Sequence, residues 1–166
     1  MGVTGKTVMG QIRRMALATA LLFGGAGSVL AACLPSTPAL ESMPRAALLL
    51  HPPGEAVEPI ALDARLAITD TQRMAGMQRL CPEVVLENPM LFVFEQPIAA
   101  AFHMRNVHGP LVIGFIDADG IIFQVEHMHP GDAPVHARAP ILFALEIHPA
   151  HPLGALRPGQ RIALAD

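Results

Sequence analysis

The sequence predicts a mainly β fold: a small β-barrel or sandwich-like domain with one or two short helices. Between residues 60 and 164, six or seven short apolar or alternating segments are separated by turn signals rich in Gly, Pro, Asn and Asp. Few stretches repeat with the 3.6-residue period of a helix. A length of 166 residues favours one domain. We therefore expect a single β-rich domain over residues 60–166.

The strand pattern is clearest in a few segments. Residues 60–68 alternate between apolar and polar side chains, which indicates a strand with one solvated face. Continuous apolar runs indicate buried strands, and weaker patterns complete the set: 90–94, 111–116 and 141–147, then 100–104, 121–128 and 161–164. Asp117-Ala118-Asp119-Gly120 predicts a hairpin loop whose two carboxylates cap the turn.

Helical signals are few. Thr69-Asp70 predicts the N-cap of a short helix from residue 71 to about 77, which ends at or near Gly76. Pro82 and Pro89 are expected to bracket a loop, and residues 149–156 to hold one helical turn.

Residues 1–32 have the anatomy of a secretory signal peptide. Lys6, Arg13 and Arg14 precede an apolar run that ends in small residues. Leu30-Ala31-Ala32-Cys33 also resembles the lipobox of bacterial lipoproteins, in which cleavage before the Cys leaves a lipidated thiol. We therefore predict an exported lipoprotein, anchored through Cys33 on the periplasmic side of a bacterial membrane. The alternative is cleavage nearby and a soluble periplasmic protein.

The state of Cys33 determines that of Cys81. If Cys33 carries lipid, Cys81 has no partner within the chain and is expected to be a small buried apolar residue, or else a reactive thiol or metal ligand. If Cys33 is retained without lipid, an oxidising compartment permits a disulfide. Six of residues 34–59 are prolines, so residues 33–59 are predicted to form a Pro-rich tether.

Charge and motifs exclude several classes of function. Without residues 1–32 the chain has eight Arg, no Lys and fourteen acidic residues, a formal charge of −6. It therefore lacks the basic surface of a nucleic-acid-binding protein, and it has no Trp or Tyr for base stacking. Nucleophile elbows and phosphate loops are absent, so a hydrolase or transferase has no motif in its favour.

Several short motifs occur in a recognisable order. They are Ala-Gly-Met-Gln at 75–78, Met-Leu-Phe-Val-Phe at 90–94, Met-Arg-Asn at 104–106 with Pro-Leu at 110–111, Phe-Ile-Asp-Ala-Asp-Gly at 115–120, Leu-Glu-Ile at 145–147 and Leu-Arg-Pro-Gly-Gln-Arg at 156–161. In this order they resemble the domain-of-unknown-function family 192, also called uncharacterised protein family 0127, over roughly residues 60–164. The resemblance implies a compact, mostly β, often exported bacterial or archaeal domain without an assigned activity.

The chain departs from the family pattern at a few positions. His103 stands where the family usually has Trp, and Val107 where it has Thr or Met. Val112 follows Pro-Leu where an Asp is usual, and the segment after Gly76 is shorter. If that Asp binds a ligand in relatives, the function is changed here.

The predicted ligand-binding face consists of His103, Met104, Arg105 and Asn106. A guanidinium beside an amide can bind a carboxylate, a phosphate or a sugar hydroxyl. Alternatively, Asn106 supplies turn hydrogen bonds and Arg105 pairs with an acid such as Glu126. Our first functional hypothesis is a non-enzymatic envelope domain that binds a small polar ligand or an envelope protein through this face.

The second functional hypothesis is copper or zinc binding. Seven of the eight His lie between residues 103 and 151. On one strand His127 and His129 would share a face, and with His103 and Met104 they would suit copper, or with a carboxylate zinc. The simpler interpretation is that these are surface histidines. Glu146, alone in an apolar strand, is expected to pair with an Arg across the sheet, since unpaired burial is costly; a role as a site acid is the alternative.

Overall fold

The structure, a computed structural model, describes residues 33–54 and 58–165. In chain order the elements are α1 (Pro38–Ser42), β1 (Arg45–His51), β2 (Ile60–Ala67), α2 (Asp70–Ala75), α3 (Pro82–Glu87), β3 (Met90–Ile98), β4 (Ala101–Phe102), β5 (Leu111–Ile116), β6 (Ile122–Met128), β7 (Val135–His136), β8 (Ile141–Ile147) and β9 (Arg161–Leu164). The prediction of a mainly β fold with short helices is confirmed. The predicted signal peptide, residues 1–32, lies outside the described residues.

Seven strands form one curled sheet in the order β6-β5-β8-β3-β2-β1-β9. Neighbours are antiparallel except β2 and β3, which are parallel. The two ends of the sheet meet, because Ile121 bridges Arg161 and the Ile162 N–H donates to the Gly120 carbonyl at 2.8 Å. The sheet is therefore barrel-like, and β4 and β7 form a separate two-stranded ribbon.

Side chains alternate across the strands, so both faces of the sheet bury apolar residues. One group, here called the strand cluster, takes side chains from all seven strands, including Leu48, Leu91 and Leu145. The other, called the helix-side cluster, combines strand residues such as Phe92 with Leu40 of α1 and Val85 of α3. The helices thus cover one face of the sheet.

Residues 33–54 belong to the folded domain, and the prediction of a Pro-rich tether over 33–59 was wrong. Strand β1 lies between β2 and β9 and hydrogen bonds to both. The prolines mark element boundaries instead: Pro38 begins α1, whose N-cap Thr37 accepts a bond from the Leu40 N–H, and Pro44 precedes β1. Proline is well tolerated at these positions because no helical or ladder N–H is required there.

A disulfide joins Cys33 to Cys81, with 4.7 Å between their Cα atoms. Next to it, Leu34 and Leu80 form a parallel bridge. The Leu34 N–H donates to the Arg79 carbonyl at 2.7 Å, and the Cys81 N–H to the Leu34 carbonyl at 2.9 Å. This contradicts the predicted lipid attachment, because a thiol engaged in a disulfide cannot also carry a thioether-linked lipid. The structure corresponds to the disulfide alternative.

Three smaller predictions also needed correction. The expected loop between Pro82 and Pro89 is helix α3, with Pro82 in its first turn. The expected strand over 100–104 is only Ala101–Phe102. Residues 149–156 form turns without a helix. No helix in the described part of the chain is long and apolar enough to cross a bilayer.

Candidate functional site

A cavity of about 720 Å³ lies between α2, β3 and the segment that follows β4; we call it the α2 cavity. Its walls are mainly apolar, with Phe92 and Phe94 from β3 and Phe102 from β4. Phe92 and Phe102 pack edge to face at 5.0 Å between ring centroids. The charged or titratable side chains that line it are Asp70, Arg73, His103, Arg105 and Glu146. It therefore combines apolar walls with a few polar groups, as ligand pockets do.

Helix α2 forms one wall and is fixed by a capping box, as Thr69-Asp70 predicted. Thr69 accepts from the Gln72 N–H at 3.3 Å, and Gln72 Oε1 accepts from the Thr69 N–H at 3.0 Å. The helix ends at Gly76, whose φ is +47°. A Cβ there would lie 3.4 Å from the Phe92 ring. Glycine thus lets the chain turn closely over the aromatic wall.

The segment His103–Asn106 forms a turn that divides the predicted ligand-binding residues. Met104 is buried in the helix-side cluster, whereas His103 and Arg105 are exposed and line the cavity. The His103 ring Nδ1 accepts from the Arg105 N–H at 3.3 Å. The structure therefore brings His103 and Arg105 together at the cavity, and Met104 is part of the core.

Asn106 supplies turn hydrogen bonds, as the alternative interpretation of the sequence predicted. Its φ of +59° is left-handed, which Asn tolerates better than most residues. Its carbonyl accepts from the Arg79 N–H at 2.6 Å, and its amide donates to Gln78 Oε1 at 3.3 Å. Asn106 thereby attaches the turn to the segment that the disulfide holds.

The expected pair between Arg105 and Glu126 does not form. The arginine ion pairs within residues 33–54 and 58–165 are Arg45–Asp63 and Arg73–Asp70. Glu126 instead accepts from the Gln124 amide at 3.1 Å. The Arg105 guanidinium makes no ion pair with the described residues, so it is available to a ligand.

The predicted metal ligands do not come together. Strand β6 ends at Met128, which is buried, while His127 is exposed. His129 lies in the following turn, where its N–H donates to Asp132 Oδ2 at 2.6 Å. The described residues contain no group of three or more His, Cys, Asp or Glu arranged for a metal ion, so His103, His127 and His129 do not form one. Copper or zinc binding stays an untested prediction.

Glu146 lies at the cavity without the arginine partner expected for it. It is opposite Met90 on β3 and Ile113 on β5, both fully buried. Only 5 % of its surface is exposed, and burial raises the pKa of its carboxyl to about 8. The prediction of a cross-sheet ion pair was wrong. In the sequence, the signal that pointed to Glu146 was its position as the one acid in an apolar strand.

Asp117 and Val112, which the sequence analysis also singled out, do not line the α2 cavity. Asp117 Oδ1 accepts from the N–H groups of Asp119 and Ile121 at 3.0 and 2.9 Å, which confirms turn capping. Val112 is buried in the strand cluster, on the sheet face opposite Ile113. The Val112 side chain therefore does not line the α2 cavity.

A family model matches residues 54–163 of the chain, and it is that of DUF192, described as uncharacterized ACR. The match covers most of the barrel and every cavity-lining residue. The chain belongs to the DUF192 family. No curated protein matches it. The family resemblance inferred from the sequence motifs is thus confirmed.

Two solved structures share the fold of this DUF192 chain. One, from Novosphingobium aromaticivorans DSM 12444, is a protein of unknown function with a TM-score of 0.63 and 23 % identity, over 80 % of this chain and 94 % of that one. The other, from Sinorhizobium meliloti 1021, is described as a proposed transcription regulator, with a TM-score of 0.62 and 23 % identity over 74 % and 95 %. At this identity the likeness shows the fold alone.

Proposed function

We propose that this DUF192 domain is a non-enzymatic cell-envelope protein that binds a small anionic ligand in the α2 cavity. The supporting observation is the pair of exposed cationic or ionisable side chains, His103 and Arg105, that line a largely apolar concavity. A guanidinium fork binds carboxylate or phosphate through two parallel hydrogen bonds. The concave shape favours a small molecule over a protein partner.

The two arginines of the cavity differ in availability. Arg73 pairs with Asp70, donates to the carbonyls of Ile68 and Val93, and lies 5.4 Å from the Phe94 ring centroid. These contacts use the guanidinium to hold α2 against β3. Arg105 has no such contacts among the described residues, so we assign the ligand's anionic group to Arg105, with His103 beside it.

Two features support a non-enzymatic role and an exported location. Among the described residues that line the cavity there is no Ser, Thr or Cys to act as a nucleophile. The Cys33–Cys81 disulfide suits the periplasmic side of a bacterial envelope, since disulfides persist in oxidising compartments. The proposal includes export directed by residues 1–32, without lipid on Cys33.

Thermal-shift screening with small aromatic and aliphatic carboxylates and phosphate monoesters tests the function. A ligand that binds the folded form raises the unfolding temperature. We expect His103→Ala and Arg105→Ala to lower the affinity for any hit, Arg105→Ala by about tenfold or more, because a charge-assisted hydrogen bond is lost.

Matched variants outside the cavity serve as controls. His108→Ala changes an exposed histidine of the same segment, and Arg157→Ala an exposed arginine of a distant turn; neither residue lines the cavity. We expect both to bind like the wild type. A ligand whose shift is unchanged in His103→Ala and Arg105→Ala would show that the binding site is elsewhere.

A further inference from the structure

Glu146 is a buried carboxyl group that faces the α2 cavity without a protein partner. It lies in the middle of the sheet, on β8 between β3 and β5. Every side-chain N or O of the described residues that is completely shielded from solvent has a hydrogen-bond partner. The Glu146 carboxyl has no such partner among these residues, although the residue as a whole is buried. Its carboxyl oxygens therefore reach the cavity surface, where a ligand can contact them.

The surroundings of Glu146 supply no compensating charge. Its cross-strand neighbours on β3 and β5 are Met90 and Ile113, and β8 has no other ionisable side chain. The other charged or titratable groups that line the cavity are Asp70 and Arg73 on α2, which pair with each other, and His103 and Arg105 after β4. None of them forms an ion pair with Glu146.

A carboxyl group in this position is a hydrogen-bond donor. With its pKa raised to about 8 by burial, Glu146 keeps its proton at neutral pH. The protonated acid presents one O–H donor, which an ionised carboxylate lacks. Phe92, Phe102 and Met77 line the same cavity, and none of these side chains accepts a strong hydrogen bond.

We propose that Glu146 selects the ligand of the α2 cavity: an anionic molecule with an apolar body that ends, next to Glu146, in a hydrogen-bond acceptor such as a carbonyl oxygen. This rests on the proposed function, which places the anionic group at Arg105. The apolar body packs against the aromatic wall between the two ends. The acceptor pairs with the carboxyl O–H, which otherwise has no partner in the protein.

Two consequences distinguish this arrangement from a simple anion site. A ligand without the acceptor leaves the buried O–H unpaired when it displaces water, so its affinity falls by about tenfold or more. Affinity also falls as the pH rises through about 8, because the ionised carboxylate can no longer donate and repels the anionic ligand.

Three matched probes test the selection. They are 4-acetylbenzoate, with a carbonyl acceptor; 4-isopropylbenzoate, of similar shape without it; and 4-(aminomethyl)benzoate, with an ammonium group. Binding is measured by calorimetry at pH 7 and pH 9 on the disulfide-bonded wild-type domain and on two variants. Glu146→Gln retains an N–H donor that does not ionise. Glu146→Leu removes the donor and fills a similar volume.

We expect 4-acetylbenzoate to bind the wild type at least tenfold more tightly than 4-isopropylbenzoate at pH 7, with the preference reduced at pH 9. Glu146→Gln should keep the preference at both pH values, and Glu146→Leu should abolish it. Any pH dependence left in Glu146→Gln belongs to groups other than Glu146. Circular dichroism on each variant verifies the fold.

The proposal and the proposed function fail in different ways. Equal binding of the acetyl and isopropyl probes, still weakened by Arg105→Ala, would overturn the selection by Glu146 and leave the anion site intact. Preference for the aminomethyl probe would overturn it in favour of a cation-binding carboxylate. If no probe binds at 5 mM, the ligand class is wrong, and the wider screen with Arg105→Ala decides on the function itself.

Discussion

Glu146 shows how one residue can be destabilising for the fold and useful for a site. An ionised carboxylate in this position would lose its hydration without gaining an ion pair, so the folded chain holds it in the protonated form. A Leu at this position would pack against Met90 and Ile113 without that penalty. The presence of an acid at this position is consistent with the ligand selection that we propose for Glu146.

The free energy of unfolding should report this proton. The ordinary pKa of 4.5 applies to the unfolded chain, and the folded value is about 8. Between these two pH values the unfolded chain has lost this proton and the folded chain still holds it. The stability that is fully present below pH 4.5 is therefore lost as the pH rises to about 8. Relative to Glu146→Gln, we expect the wild type to lose up to about 1.4 kcal/mol per pH unit in this window. Urea unfolding of both proteins at pH 5 and pH 8.5 measures it; identical pH profiles would contradict the buried acid.

Gly120 is the second residue with a sharp prediction. Its φ is +78°, and a Cβ would lie 2.6 Å from the Ile162 carbonyl oxygen, where the ends of the sheet meet. We expect Gly120→Ala to lower the free energy of unfolding by about 2–4 kcal/mol, through backbone strain and a clash with β9. Gly131→Ala is the control: its φ is +93° but nothing lies within 4 Å, so about 1 kcal/mol of strain remains. Equal losses in denaturant unfolding would show that the contact with β9 is unimportant.

At the scale of elements, the buried side chain of Gln72 attaches α2 to the domain, in addition to the contacts of Arg73 with β3. Gln72 Oε1 accepts from the Ile68 and Thr69 N–H groups, both at 3.0 Å, and its amide donates to the Ser42 carbonyl at 3.0 Å. Gln72 thus caps α2 and joins it to α1, and both helices adjoin the same side of the sheet. The position of the cavity wall depends on these three bonds.

Removal of Gln72 should therefore loosen this wall. We expect Gln72→Ala to lower the free energy of unfolding by about 1–2 kcal/mol, since two part-buried N–H groups and a carbonyl lose their hydrogen-bond partner. Thr71→Ala, at an exposed position of the same helix, should change stability by less than about 0.5 kcal/mol. Thermal unfolding compares the two. Equal effects would mean that water replaces the lost bonds.

Local patterns predicted the elements that depend on local chemistry. Strand β5 has the predicted bounds, Leu111–Ile116, and the capping box of Thr69 and the Asp117 turn followed from their residue types. Prolines concealed α1 and α3 in the sequence, because the same residue that breaks an element also begins one.

The site depends on the pairing of strands that are far apart in the sequence, which local residue patterns do not reveal. Strand β8 is inserted between β5 and β3, so Glu146 meets β3 and β5, and no arginine. Likewise the turn at His103 directs Met104 into the core and leaves Arg105 outside. The sequence predicted His103 and Arg105 as parts of one ligand-binding face. Both line the α2 cavity, but ligand binding there stays a prediction. Local patterns did not place Glu146 in the same cavity.

At the scale of the whole molecule, the disulfide joins the first described residue to the middle of the chain across 48 positions. Reduction should lower the free energy of unfolding by about 2–4 kcal/mol, since closing such a loop restricts the unfolded chain. Thermal unfolding with and without dithiothreitol measures the effect, and a Cys33→Ser/Cys81→Ser variant should not respond to the reductant. Mass spectrometry of the native N-terminal peptide adds a direct check, because an acyl group on Cys33 would refute the disulfide.

The pairing of β1 with β9 determines at which stage of synthesis the sheet can close. The sheet cannot close until residues 161–164 are available, because β1 pairs with β9 and the Ala165 N–H donates to the Ala47 carbonyl. Contacts between such distant segments slow folding, since a long loop must close before they form. During synthesis the sheet therefore stays open until β9 has been made. A polypeptide that has not yet closed its sheet can still be threaded through a translocation channel, so this strand order would suit the export that we propose.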